Sequence, residues 1–195
     1  MAAYKEFSYY YDSLMDPDFY SDYLEFIHEH ADLKTVLELG CGTGLTAIEL
    51  AKEGHQVLAT DLSEDMVKLA KERVESDDEG LTFVTGDMLA LTETNRYDAV
   101  TCYSDSLCYM KDQDSVIKVF KGVYESLKNQ GTFIFDVHST YQMAVGFSEY
   151  SYHYQTDEFA FLWESYPGDF YHSVEHFLTF FVPDGQGKFE RFDEL

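Results

Sequence analysis

Short apolar runs alternate with stretches of helical period over the first 140 residues. Residues 36–39, 56–61, 81–84, 97–103 and 132–138 each read as a strand, with apolar positions dense enough for a sheet covered on both faces. Between them, apolar positions recur at intervals of three and four. Met66, Leu69, Ala70 and Val74 form the stripe of a helix opened by Ser63-Glu64-Asp65, and Val116, Val119, Phe120, Val123 and Leu127 share a face in a helix predicted over 114–129. A further helix follows the glycine run at 45–51. Ahead of the first strand, Tyr20, Tyr23, Leu24 and Ile27 predict an amphipathic helix within 18–30. Five strand–helix alternations with short connections predict an α/β fold: a doubly wound, mostly parallel Rossmann-like sheet with helices on both faces. From residue 149 the pattern becomes aromatic and alternating. It predicts strands at 158–166, 170–182 and 187–192, separated by Pro167-Gly168-Asp169 and Pro183-Asp184-Gly185, hence antiparallel hairpins.

The first strand runs into Glu38-Leu39-Gly40-Cys41-Gly42-Thr43-Gly44, with glycine at every second position. Glycines there allow a sharp turn and let a ligand lie against the main chain. The spacing is not the dinucleotide G-x-G-x-x-G/A, and no Gly-Lys-Ser/Thr of a Walker loop follows. The second strand ends in an acid, Asp61, at the sheet edge where nucleoside ligands bind. The third is followed by Gly86-Asp87-Met88, and the fourth, which ends at Tyr103, by Ser104-Asp105-Ser106-Leu107.

This series resembles the class I S-adenosylmethionine (SAM)-dependent methyltransferases, over roughly residues 10–138. The resemblance implies an enzyme that uses SAM and releases S-adenosylhomocysteine. It implies that Gly40, Cys41, Gly42 and Gly44 form the loop under the cofactor, and that Glu38 anchors the loop and the methionine ammonium. Asp61 with Leu62 would hold the ribose, Asp87 and Met88 the adenine, and Tyr103 and Ser104 would line the methyl-transfer side. It also places Tyr10 or Tyr11 near the methionine end. In such enzymes the fold closes with an antiparallel strand pair. The hairpins here are either that pair or a lid inserted after the fifth strand. Only a short helical candidate, 139–146, precedes them and a third strand follows, which favours the lid. The expected division is therefore a SAM-binding core with an N-terminal helical cap over 1–148 and an antiparallel lid over 149–195, in a chain shortened at its C-terminus.

A general base is needed only when the methyl acceptor must lose a proton. The candidates are His138, past the fifth strand, and Asp105, past the fourth. The fourth-strand loop is not Asn/Asp-Pro-Pro-Tyr/Phe, which argues against a nucleobase amine as acceptor. A net charge of −24 argues the same way, because so acidic a chain repels phosphate backbones. The expected partner is a small-molecule acceptor with an oxygen or nitrogen nucleophile, the expected state a monomer or homodimer, and the expected location the cytoplasm. There is no apolar run long enough to span a bilayer, and the N-terminus lacks the apolar core of a secretory signal. Cys41, Cys102 and Cys108 have no framework or Cys-x-x-Cys spacing. His172 and His176 would sit roughly 13 Å apart in a strand, so no metal site is read there. Two other readings of the same motifs are a non-catalytic SAM-binding subunit and, against the glycine spacing, an NAD-dependent oxidoreductase.

Overall fold

The computed structural model describes residues 10, 12, 14–15, 17–74, 80–171 and 173–194. The chain divides into two compact units, Ser8–Val137 and a second that begins at His138.

In the first unit the elements run α1 (Pro17–His30), β1 (Thr35–Leu39), α2 (Leu45–Lys52), β2 (Gln56–Asp61), α3 (Glu64–Glu72), β3 (Leu81–Thr85), β4 (Tyr97–Cys102), α4 (Gln113–Ser126) and β5 (Leu127–Phe135). The five strands are all parallel, in the order β3-β2-β1-β4-β5. β1 lies at the centre, and its side chains alternate between two cores as a pleated strand requires. Val36 joins Ile27 of α1, Ala47, Ile48 and Leu50 of α2, and Val67 and Ala70 of α3 on one face. Leu37 and Leu39 join Val119 and Val123 of α4 on the other. Burying an aliphatic side chain of this size stabilises by about 1.5–3 kcal/mol, so this alternation fixes the register of the central strand. The doubly wound sheet expected from the sequence is the one observed.

Helix starts follow the polar signals. Ser63 Oγ accepts from the Met66 N–H at 3.3 Å, with Glu64 and Asp65 in the first turn of α3. Asp112 Oδ1 accepts from the Ser115 N–H at 2.8 Å and caps α4. The end of α4 differs from the expectation. The helix stops at Ser126, and Leu127 already pairs with Tyr97 of β4, so residues 127–131 belong to β5 through a register shift, with Gln130 at φ 66°. The apolar Leu127 fits a helix stripe and a strand equally well, which is why its period misleads. Phe120 is likewise not core: it is 40% exposed and packs on Phe133 and Phe135 of β5.

The second unit is a four-stranded antiparallel sheet: β6 (Tyr150–Gln155), β7 (Ala160–Pro167), β8 (Val174–Pro183) and β9 (Phe189–Glu194), in sequence order. β6 adds a strand to the three expected, paired with β7 from Tyr150↔Ser165 to Gln155↔Ala160. β8 begins at Val174, four residues later than expected. The Gly168 N–H donates to Ser173 O at 2.9 Å and the Ser173 N–H to Phe170 O at 3.1 Å, so this stretch is turn. Phe159, Phe161 and Phe180 are buried together. In this sheet Trp163 donates its indole N–H to His176 Nδ1 at 3.1 Å, and the fully buried Ser165 hydroxyl lies 2.7 Å from the same nitrogen. Indole is a donor only, so Nδ1 is an acceptor and the imidazole proton is assigned to Nε2. Burial, and then the neighbouring His138, hold the His176 pKa below 6.5. His172, its partner in the spacing noted above, lies outside the described residues.

Candidate functional site

The glycine loop after β1 meets Asp61 at the end of β2 and the loop after β4, while Asp87 and Met88 follow β3. The loop after β1 turns through Gly40 (φ 68°) and Gly44 (φ 81°). A Cβ on Gly40 would overlap the Ser106 side chain, and one on Gly44 would sit 2.6 Å from the Phe83 ring, so the loop packs at van der Waals limits on its protein side. At Gly42 a Cβ would meet nothing within 4 Å. The loop therefore presents open ground there, next to an N–H that donates to Asp61 Oδ2 at 2.8 Å. Asp61 Oδ1 accepts from the Ser63 N–H, also at 2.8 Å. The carboxylate thus splints the glycine loop to the start of α3, and its pKa is raised by burial against the lowering effect of these donors. Leu62, beside it, is 73% exposed.

Glu38 lies beneath the loop. It is 4% exposed, and among the described residues its Oε2 has no hydrogen-bond partner. Burial, then the charge of Asp61, push its pKa from 4.5 to about 8. Thr101, its register partner on β4, and Tyr103 also have buried hydroxyls without a partner among the described residues. An unpaired buried polar group costs about 1–3 kcal/mol, and three in one place are expensive for a structure that had no external partner to offer. The Cys41 and Cys102 thiols are buried, and burial raises their pKa values, Cys102 to about 12, which disfavours the thiolate form.

The loop after β4 carries two consecutive non-glycine residues in the left-handed region, Ser104 (φ 53°) and Asp105 (φ 58°). Such strain persists only where neighbours enforce it. The Ser104 N–H donates to Tyr23 Oη at 3.3 Å, and the Asp105 N–H donates to Asp136 Oδ1 at 3.0 Å. The Tyr23 hydroxyl donates to Asp136 Oδ2, and its ring stacks on Tyr103 with centroids 4.4 Å apart. Burial, then Asp136, raise the Tyr23 pKa, so it stays a donor. Tyr23 and Asp136, which hold this turn, are not singled out by the sequence pattern. Tyr23 reads as an ordinary stripe position, and Asp136 is one acid among many; only its place at a strand end could have flagged it.

Asp87 is exposed and accepts from the Leu89 N–H at 2.8 Å, capping the short turn Met88–Ala90, where Met88 is partly buried. The N-terminal segment reaches the glycine loop through Asp12, which accepts from the Thr43 hydroxyl at 2.7 Å and pairs with Arg73. Tyr11 lies outside the described residues. His138 falls in the second unit, edge-on to Phe147 at 4.9 Å.

Residues 36–131 match the family model described as a methyltransferase domain. A Geobacillus sp. (strain WCH70) protein that carries a methyltransferase name is 39% identical over 99% of this chain and 81% of its own length. The chain belongs to the class I SAM-dependent methyltransferases. YqeM of Bacillus subtilis (strain 168), also named for a methyltransferase, is 36% identical over 98% of this chain and 77% of its own. The crystal structure of a SAM-dependent methyltransferase from Clostridium acetobutylicum ATCC 824 superposes with a TM-score of 0.81 at 32% identity, covering 98% of this chain and 79% of that one. The methyltransferase site fits the family's cofactor on its own evidence: a buried acid lacking a partner suits a cationic amino acid, and the open face of the glycine loop suits a ligand laid on the backbone. Among the described residues no helix is long and apolar enough to cross a membrane.

Proposed function

We propose that this methyltransferase acts on an oxygen or nitrogen nucleophile of a small molecule, with SAM held by the first unit. Bound there, SAM supplies a methyl group already activated by its sulfonium. The chain's own residues bind, orient and handle the proton. The Glu38 Oε2, unpartnered among the described residues, carries this reading: it is the seat for the methionine ammonium, whose positive charge opposes the upward pKa shift and favours the carboxylate. The backbone from Gly40 to Gly44, with Cys41, forms the floor. Asp61, with Leu62 alongside, offers its remaining lone pairs to the ribose hydroxyls, and Asp87 and Met88 flank the adenine. Tyr103 and Ser104 stand on the methyl-transfer side. Of the two bases read from the sequence, we assign the role to Asp105, which adjoins Asp136; Asp136 and Tyr23 are positioning residues that hold its turn. The charge of −24 favours a small acceptor over a polyanion.

The test is a thermal-shift comparison of S-adenosylhomocysteine, SAM and NAD on the parent and on Asp61→Ala. A ligand at a hundred times its Kd stabilises by about 2.7 kcal/mol, a shift of several degrees for a chain of this size. The adenosyl-sulfur ligands should raise Tm, NAD should not, and Asp61→Ala should lose the effect. A shift with NAD alone would overturn the assignment.

A further inference from the structure

A second cluster of chemistry-bearing side chains lies in the first unit, where α1 and α2 end. His28 Nε2 is 2.7 Å from Glu53 Oε2, and His55 Nε2 is 3.6 Å from the same oxygen. The three ligand atoms lie within 4.8 Å of one another. We propose that His28, Glu53 and His55 bind a divalent transition-metal ion of the zinc class, clipping α1 to the turn between α2 and β2.

Three features of the fold favour a cation here. The first is preorganisation. Glu53 caps α2, Gly54 follows in the left-handed conformation (φ 95°), and the N–H groups of Gly54 and His55 close on Ala51 O and Leu50 O at 2.9 and 3.2 Å. This turn fixes where Glu53 and His55 leave the backbone, on either side of the glycine. The second is electrostatic: α1 and α2 both finish here, and the carbonyl ends of helices favour positive charge. The neighbouring Lys52 ammonium is engaged by Glu49 at 2.8 Å. The third is the donor set. Two imidazoles facing one carboxylate oxygen suit zinc, nickel or copper, whereas magnesium and calcium prefer oxygen ligands throughout. An ion about 2.0–2.1 Å from each donor spans ligand separations of up to about 4 Å, so the cluster closes with roughly 1 Å of side-chain movement. His28 and Glu53 are each 42% exposed and His55 20%, which leaves solvent access for the remaining coordination positions. The clip would also pin the helix that carries Tyr23, and through it the turn at Ser104 and Asp105.

The experiment is calorimetric titration of the full chain with Zn²⁺, with Co²⁺ absorption as an independent probe of the ligand field. The parent should bind one equivalent and show visible cobalt bands, and zinc at a hundredfold excess over Kd should raise Tm by several degrees. The double variant His28→Ala/His55→Ala should lose affinity by about 100-fold or more while melting cooperatively without metal. Glu53→Gln should weaken binding without abolishing it, and Mg²⁺ should not compete. Absence of saturable binding by the parent, or a double variant that binds zinc as tightly as the parent, overturns the proposal. Because neither readout uses SAM or an acceptor, failure here leaves the methyltransferase reading untouched.

Discussion

Glu38 in the parallel unit and His176 in the antiparallel unit are both titratable groups drawn away from water, yet their surroundings are opposite. His176 is closed on itself: its Nδ1 receives the Trp163 indole and adjoins the Ser165 hydroxyl, and its ring packs on Phe147. Glu38 is buried beside two more unpartnered hydroxyls, those of Thr101 and Tyr103, and a second acid that raises its pKa further. A structural polar cluster supplies its own partners, whereas a binding site leaves the place of one partner to the ligand. Within this fold, an unpaired acid therefore says more about function than a well-bonded histidine does.

Substitutions in the glycine loop should sharpen that contrast most. Gly44→Ala introduces a Cβ against Phe83 in a left-handed position, so Tm should fall by on the order of 10 °C. Gly42→Ala has open space and carries only the backbone penalty, about 1–2 kcal/mol; its main effect should be lost S-adenosylhomocysteine binding. Melting curves with and without the ligand separate the two. If Gly42→Ala binds as well as the parent, the loop face is not the cofactor floor.

Next comes Glu38→Gln. A carboxyl raised from 4.5 to about 8 on folding contributes stability that is complete below pH 4.5 and is lost as pH rises through 8. The variant should therefore match the unliganded parent near pH 4.5 and exceed it in Tm by several degrees above pH 8. It should also bind S-adenosylhomocysteine about tenfold or more weakly. Paired melts and calorimetry across that range check both halves, and a variant less stable at pH 8 would refute the account of an uncompensated acid.

Tyr23→Phe removes one oxygen that bridges Asp136 and the Ser104 N–H. The loss should be about 1.5–3 kcal/mol locally, seen as roughly tenfold or faster amide exchange at Ser104 and Asp105, with S-adenosylhomocysteine affinity changed less than about threefold. Unchanged exchange would mean that the turn holds itself.

The smallest effect belongs to His176. Its pKa is depressed in the fold, so the unfolded chain takes up the proton first as pH falls below 6.5. Stability from this group is then lost from there down through its lower folded value. The imidazole C–H resonance of His176 should titrate with a midpoint below 6.5; a midpoint above it would show a charged, solvated ring.

How much of this was legible beforehand follows from what period and spacing encode. The alternation of strands and helices, the glycine loop and the acid at Asp61 depend on local patterns of a few residues, and the parallel sheet is the one expected, with Asp61 bonded to the loop at Gly42. Leu127 defeated the reading because a single apolar residue at a helix–strand junction satisfies both periods. β6 was obscured because residues 150–155 carry aromatic and polar residues with little burial; among the described positions Tyr152 is 41% exposed. Asp136 and Tyr23 meet across 113 positions of sequence, and no local pattern records such a pairing. The strain at Ser104 and Asp105 was hidden for a related reason, since neither residue is a glycine.

The central place of β1 also sets an order of assembly. Its pairing with β2 begins at Thr35↔Gln56, a closure of 21 positions through one helix, whereas Val36 meets Ala99 of β4 across 63. Short closures form sooner than long ones, so a β1–α2–β2 unit can precede the arrival of β4. Until β4 docks, the strand edge beside Glu38 stays hydrated and the acid keeps its charge at little cost. By this ordering, burial of that carboxyl is expected late in folding, so the chain completes its seat for an ammonium only when the sheet around it is nearly finished.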